Sequence, residues 1–166
     1  MISICEASME DVVSIQNIAF ETWPVVYGNI ITQSQIKYML DLFYSEAVLT
    51  DSIISKVQDF LLLKDQGKAI GFASFEHNYL QQKVTRLHKL YLLPQSQGKG
   101  QGKVLINAVV EKAKENSSLN ISLNVNKFNP ALTFYKKVGF EIVGEEKLPI
   151  GNNFFMDDYK MELKIQ

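Results

Sequence analysis

The chain has 166 residues, of which 46% are hydrophobic and 21% charged, and its formal net charge at pH 7 is -1. A chain of this size is expected to form a single domain spanning residues 1–166. Its basic residues are spread without a patch, so no nucleic-acid partner is expected. No apolar run approaches the roughly 18 residues of a membrane-spanning helix, and the one cysteine, Cys5, cannot form an internal disulfide. The expected location is cytoplasmic, with no membrane contact.

An opening strand and a first helix are predicted at the start of the chain. Residues 2–5 are apolar enough for a strand, and Ser8 is a suitable N-cap for a helix that runs to about Phe20. The aromatic segment that follows contains Trp23-Pro24 and Tyr27. It is predicted to be a loop, because proline lacks the N–H group that a helix interior uses.

Two further helices and a hairpin are predicted next. Residues 32–35 have a capping-box pattern that begins a second helix, and Ser45 can cap a short third helix over residues 46–56. Apolar runs at 60–63 and 69–75 are separated by a polar turn that contains glycine. This pattern predicts two antiparallel strands.

A strand followed by a glycine-rich turn is the most informative stretch. Residues 84–93 predict a strand, and its last four residues are all apolar, as in a strand covered on both faces. The turn reads Gln97-Gly98-Lys99-Gly100-Gln101-Gly102, and residues 103–115 then show helical spacing. Because the first turn of a helix has unpaired N–H groups and the positive end of the dipole, this arrangement predicts a phosphate-binding site.

The last part of the chain predicts a strand, a short helix and a closing hairpin. The strand at 119–125 is expected to run parallel to the strand at 84–93, since a helix connects them. Asn129 is a good N-cap and Gly139 suits the position after the helix. Phe140 opens another strand, and residues 155–165 alternate after a turn at 151–153, which predicts the hairpin. The predicted fold is therefore α+β, with a mixed, largely antiparallel central sheet flanked by helices.

Spacing separates the types of phosphate-binding loop. A P-loop needs Gly, four residues and then Gly-Lys-Ser/Thr, but Gly102-Lys103 is followed by Val104, and Gln97 stands five residues before Gly102. A dinucleotide fingerprint needs Gly-x-Gly-x-x-Gly and an acidic residue at the end of the next strand. Here the glycines alternate evenly and that strand is followed by Asn126, so this pattern also fits poorly.

The turn at 97–102 resembles the Gln/Arg-x-x-Gly-x-Gly/Ala signature of the GNAT superfamily of acyl-CoA-dependent N-acetyltransferases. Tyr135 and Gly139-Phe140 stand at that family's spacing, and the resemblance covers about the second half of the chain. It implies a GNAT-like fold and acetyl-CoA as the donor. It also implies a set of cofactor contacts: Leu90, Tyr91 and Leu92 along the pantetheine arm, Gln97, Gly98, Lys99, Gly100, Gln101, Gly102 and Lys103 at the pyrophosphate, and Tyr135.

The resemblance also suggests catalytic residues. Tyr135 occupies the place of the tyrosine that donates to the departing sulfur. Relatives often keep a carboxylate on one of two splayed strands, but Leu123 stands at that position on the second strand. His88 stands on the first strand and is the candidate base, with Glu76 as the alternative. By alternation, the His88 side chain is expected on the same face as Leu90 and Leu92.

Other positions complete the expected site. The family often has asparagine seven residues before the tyrosine, whereas this chain has Phe128 there and Asn129 one residue later, which is the remaining candidate cofactor contact. Trp23, Tyr27 and Tyr159 come from segments that wall the acceptor pocket in relatives. Asp157 and Asp158 are adjacent on a predicted strand and would face opposite ways, so no metal site is expected.

The sequence thus predicts an enzyme that moves acetyl from acetyl-CoA to a primary amine by direct attack in a ternary complex. The acceptor can be a small amine, a polyamine, or an amine of a peptide or protein, and the chain is expected to be a monomer or a homodimer. The alternative is a CoA-binding sensor or inactive interaction module. Leu123 and Phe128 support that alternative and Tyr135 counts against it.

Overall fold

The computed structural model describes all 166 residues. The strands are β1 (Ile2–Glu6), β2 (Asp59–Asp65), β3 (Lys68–Glu76), β4 (Val84–Leu92), β5 (Asn120–Asn126), β6 (Glu141–Gly151) and β7 (Phe154–Lys164). The helices are α1 (Val12–Tyr27), α2 (Gln33–Tyr44), α3 (Glu46–Ser55), α4 (Gln101–Glu115) and α5 (Ala131–Val138). The predicted α+β class and the predicted order of elements are confirmed.

All seven strands belong to one sheet in the order β1-β2-β3-β4-β5-β7-β6. Every neighbouring pair is antiparallel except β4 and β5, which are parallel. This exception was predicted, because α4 connects these two strands and returns the chain to the same end of the sheet. None of the helices is long and apolar enough to cross a membrane.

The first helix is longer than predicted. Ser8 caps a short 3-10 turn at Met9–Asp11, and α1 continues without a break through Pro24 to Tyr27. An interior proline costs a helix about 3 kcal/mol. The burial of Trp23 and Tyr27, each 4% exposed, offsets this cost by placing two large aromatic rings in the core.

Helices α2 and α3 begin at the predicted caps, whereas α4 follows Gly100, which has no side chain to cap it. The Thr32 hydroxyl accepts from the Gln35 N–H at 3.1 Å, and the Ser45 hydroxyl accepts from the Val48 N–H at 3.3 Å. Before α5, the Asn129 side chain accepts from the Ala131 N–H at 2.9 Å, as expected of a residue at the start of this helix, although the N-cap residue itself is Pro130. Satisfying these otherwise unpaired N–H groups fixes where each helix starts.

The core lies on both faces of the middle of the sheet. In β3 every residue from Ile70 to Phe75 is buried, which requires cover on both sides. Helix α1 packs against β3 and β4, and α4 packs against the same two strands. Because both faces of β4 are covered, access to this strand is left only along its edge toward β5.

Candidate functional site

A gap between two neighbouring strands forms the centre of the site. Strands β4 and β5 pair only over Val84–Arg86 and Asn120–Ser122. Beyond these residues β4 stays paired with β3 as far as Leu92, and β5 stays paired with β7 as far as Asn126. The backbone groups that face the gap therefore have no ladder partner across it. A cavity of about 900 Å³ occupies this region.

The glycine turn lies at one end of the cavity. Gly98 and Gly100 have φ angles of 77° and 76°, and a Cβ at either position would meet no atom within 4 Å. The Val104 N–H bonds to the Gly100 carbonyl, so the N–H groups of residues 101–103 precede the first bonded turn of α4. This open loop, with unpaired donors and the positive end of α4, fits a phosphate group.

The residues predicted around this turn do not all reach the cavity. Five of them line it, together with the three strand residues expected along the pantetheine arm: Gln97, Gly98, Gly100, Gly102, Lys103, Leu90, Tyr91 and Leu92. Lys99 and Gln101 are not in its lining. The Gln97 amide donates to the Leu92 carbonyl at 3.2 Å, which ties the turn to the end of β4. Lys103, which follows the turn, and Lys137 on α5 also line the cavity and add positive charge to it.

Tyr135 reaches the cavity from α5. Its ring packs edge-on against Phe134 and Phe140, with centroid distances of 5.4 Å and 5.5 Å, and the residue is 7% exposed. Burial raises the pKa of the Tyr135 phenol well above its usual value of 10. The phenol therefore stays protonated at neutral pH and is available as a hydrogen-bond donor.

A cluster of aromatic hydroxyl groups lines the side of the cavity formed by α1. The Tyr27 and Tyr91 hydroxyls lie 3.0 Å apart, and the Asn129 amide donates to the Tyr27 hydroxyl at 3.2 Å. Trp23 stacks beside Tyr27 with 4.5 Å between ring centroids. Burial raises the pKa of Tyr27 to about 12. These hydroxyls therefore act as neutral donors and acceptors near neutral pH.

Two of the three residues expected to form the acceptor wall line the cavity, and the third does not. Trp23 and Tyr27 line the cavity. Tyr159 does not line it, and its ring lies against Lys127, whose Nζ is 5.5 Å from the ring centroid. Aliphatic and aromatic side chains provide the rest of this wall: Met39, Phe43, Leu148, Ile150 and Met156.

His88 lies at an irregularity in β4. Ser74 opposes Lys89 and Phe75 opposes Leu87, so His88 is an extra residue without a partner on β3. The alternation used to place His88 on the face of Leu90 and Leu92 does not hold across this bulge. The prediction that His88, Leu90 and Leu92 share a face assumed regular alternation along β4.

The His88 ring is held by a carboxylate. Its Nε2 lies 2.9 Å from Glu76 Oε2, and the side chain is 24% exposed and lines the cavity. Desolvation lowers the pKa of His88 below its usual 6.5, and the Glu76 hydrogen bond opposes this shift. The imidazole is therefore mainly neutral at pH 7. His88 and Glu76, predicted as separate candidates, form one hydrogen-bonded pair.

Asp158 and Asn124 are cavity residues that the sequence did not indicate. Asp158 is 7% exposed, and both residues line the cavity. The one signal in the sequence is that Asp158 lies two residues after Met156 on an alternating strand, so the two side chains share a face. A carboxylate is rarely buried, so it gave no reason to expect that face to be buried. Asp157 lies on the other face, where its carboxylate pairs with Lys127 at 3.1 Å.

Comparison with known proteins agrees with this geometry. The model of the acetyltransferase (GNAT) domain matches residues 30–163. An uncharacterized N-acetyltransferase from Mycobacterium tuberculosis is 27% identical over 154 residues, which cover 92% of this chain and 97% of that protein. Spermidine N(1)-acetyltransferase from Thermoplasma acidophilum is 27% identical over 161 residues, covering 94% and 96%. The crystal structure of PaiA N-acetyltransferase from Thermoplasma acidophilum in complex with coenzyme A has a TM-score of 0.85 and 26% identity, covering 99% of both chains.

Proposed function

This chain belongs to the GNAT family of acetyltransferases, and on that premise we propose that it transfers the acetyl group of acetyl-CoA to a primary amine by direct attack in a ternary complex. The observation that carries the proposal is the continuous cavity through the gap between β4 and β5. It joins the glycine turn at one end to an aromatic and aliphatic chamber at the other. A donor and an acceptor can therefore meet in the gap.

The donor end is built from backbone groups. The N–H groups at the start of α4 and the charges of Lys103 and Lys137 suit the phosphates of acetyl-CoA. The unpaired edge of β4, from Leu90 to Leu92, can accept an amide-bearing chain as an added strand. Acetyl-CoA supplies an activated thioester in this arrangement.

Tyr135 is the proposed donor to the leaving sulfur. The carbon–sulfur bond breaks as the nitrogen–carbon bond forms, and the sulfur leaves with the electron pair. The neutral Tyr135 hydroxyl stabilises the charge on sulfur by a hydrogen bond, and one proton from the attacking nitrogen ends on the thiol. This role requires a phenol that stays protonated, which the burial of Tyr135 provides.

His88 is the proposed acceptor of the other proton. An alkylammonium must lose a proton before its nitrogen can attack, and a second proton leaves after attack. Because the Glu76 carboxylate can only accept, Nε2 carries the hydrogen of the His88–Glu76 bond and Nδ1 keeps a lone pair. The Glu76 carboxylate also stabilises the imidazolium that forms when Nδ1 takes the proton.

A CoA-binding module without turnover is the second candidate function. Leu123, 2% exposed in the core, provides no carboxylate on β5, and Phe128 is 74% exposed. Tyr135 and His88 line the same cavity, and the His88 ring is held by Glu76, which favours catalysis.

Release of free thiol from acetyl-CoA, measured over a panel of amines, tests the proposal. Spermidine should be the first acceptor, because one relative of similar length is a spermidine acetyltransferase. Diamines, monoamines, lysine peptides and peptide N-termini complete the panel. We expect turnover above the rate of hydrolysis with at least one amine. Stabilisation by CoA without turnover on any acceptor would instead support the binding module.

A further inference from the structure

We propose that Asp158 and Asn124 form a binding site for the alkylammonium group of the acceptor. The site lies in the gap between β4 and β5, on the side of the cavity that faces α1 and β6. This inference rests on the proposed amine acetylation, and it adds the chemical class of the acceptor: a cation carried on an aliphatic chain.

Two unpaired acceptor atoms point to such a ligand. Asp158 Oδ1 and Asn124 Oδ1 are both buried and have no hydrogen-bond partner. Asn124 uses its amide group to donate to Glu146 Oε2 at 3.0 Å, which leaves its oxygen free to accept. Buried polar atoms without partners are rare in folded proteins, because each costs about 1–3 kcal/mol or more when charged. A ligand with several N–H donors satisfies both oxygens.

The charge of Asp158 has no direct counter-ion in the protein. Asp158 takes part in none of the ion pairs of the structure, whereas its neighbour Asp157 pairs with Lys127. Arg86 favours the ionised form of Asp158, but its guanidinium donates to the Ser122 hydroxyl at 3.4 Å. A buried carboxylate without a cation is unfavourable, so a positively charged ligand is the complementary partner.

The walls around this carboxylate suit an alkyl chain. Trp23 and Tyr27 present aromatic rings, and Met39, Phe43 and Met156 present flexible apolar side chains. Aromatic faces attract an alkylammonium through cation–π interactions, and apolar side chains cover its methylene groups. An anionic or strongly hydrated acceptor lacks these contacts.

Burial and the charges that face Asp158 determine the pH range over which its carboxylate is ionised. The Asn124 side chain on β5 and Arg86 on β4 favour its ionisation, Glu146 on β6 and the adjacent Asp157 oppose it, and the buried phenol of Tyr27 on α1 is neutral. Burial is the largest effect and raises the pKa of Asp158 to about 6. Asp158 is therefore mainly ionised at pH 7 to 8 and loses its charge as the pH falls through about 6.

Binding of butylamine to the CoA complex tests the site without requiring turnover. Thermal stabilisation of the CoA-bound protein is measured at pH 7.5 with butylamine and with 1-butanol, which is its neutral analogue. Wild type should be stabilised by butylamine and not by butanol. Asp158→Asn should bind butylamine about 10- to 100-fold more weakly, since it loses a charged hydrogen bond. Stabilisation by CoA alone verifies that the variant is folded.

Asp157→Asn is the matched control, because it removes the same charge from the next residue on the opposite face. It should bind butylamine like wild type. If Asp158→Asn does not fold, Asn124→Ser takes its place, with an expected loss of about 3- to 10-fold from a neutral hydrogen bond.

The outcomes separate this inference from the proposed function. Equal butylamine affinity in Asp158→Asn, Asp157→Asn and wild type would overturn the inference, even with acetylation intact. Binding that depends on Asp158, in a protein that acetylates no amine, would support the site and refute the acetyltransferase activity. If amines are acetylated, Asp158→Asn should raise the amine KM by the same factor and leave the acetyl-CoA KM unchanged.

Discussion

Replacing Asp158 by asparagine tests whether this carboxylate is buried and lacks a counter-ion. The folded-state pKa is raised from the usual 3.8 to about 6, because burial disfavours the charged form. The folded state therefore holds the proton more tightly than the unfolded state, and wild-type stability falls as the pH rises between these two values. The total loss is about 3 kcal/mol, from about 2 pKa units at 1.36 kcal/mol each. Asparagine does not titrate and is spared this loss.

The assay compares the free energies of unfolding at two pH values. Between about pH 4.5 and pH 8 the stability of Asp158→Asn, relative to wild type, should shift by about 2 kcal/mol in favour of the variant. Any cost of the amide that does not depend on pH cancels in this comparison. Urea denaturation followed by circular dichroism measures it. The same stability difference at both pH values would refute the argument from burial.

Asp157→Asn is again the control, because its side chain is 49% exposed and pairs with Lys127. The relative stability of this variant should change much less between the two pH values. A shift as large as that of Asp158→Asn would mean that overall charge, and not burial, causes the effect.

Three further predictions concern the proposed mechanism and the glycine turn. Tyr135→Phe should lower kcat by about 100-fold or more with CoA affinity unchanged, since only the donor group is lost; equal losses of turnover and CoA affinity would contradict its role. His88→Gln should lower kcat. It should also abolish the fall in kcat that protonation of His88 causes in wild type, at a pH below its usual pKa because desolvation lowers that pKa. A retained acid limb in kcat would assign the fall to another group. Gly100→Ala should lose about 1 kcal/mol of stability and bind CoA more weakly. Gly67→Ala is the control, because Gly67 has a similar φ of 80° in the β2–β3 turn; it should lose similar stability and keep its CoA affinity. Isothermal titration with CoA measures both affinities.

Local patterns in the sequence determined most of the secondary structure. Caps at Thr32, Ser45 and Asn129 predicted where three helices begin, and the structure contains each of these hydrogen bonds. Such bonds span two or three residues, so the necessary information is contiguous in the chain. The glycine turn was recognisable for the same reason. Its positive φ angles and the following helix are local properties of residues 97–115.

Features that depend on distant contacts were not predictable in this way. Helix α1 continues through Pro24 because Trp23 and Tyr27 are buried against rings from other elements, including Tyr44 and Tyr91. The bulge that leaves His88 without a strand partner depends on the register of β3, not on the sequence of β4. Regular alternation cannot predict where a register shifts.

The two ends of the cavity illustrate this division. The donor end was predictable, because a glycine turn before a helix creates its donors from adjacent residues. The proposed acceptor end is assembled from α1, α2, β5, β6 and β7. The carboxylate of Asp158 enters it only because β7 pairs with β5 and brings Asp158 opposite Asn126. Whether a carboxylate is buried depends on what covers it. Sequence therefore indicated the acetyl donor, and only the packing of distant elements decided which charge faces the proposed acceptor site.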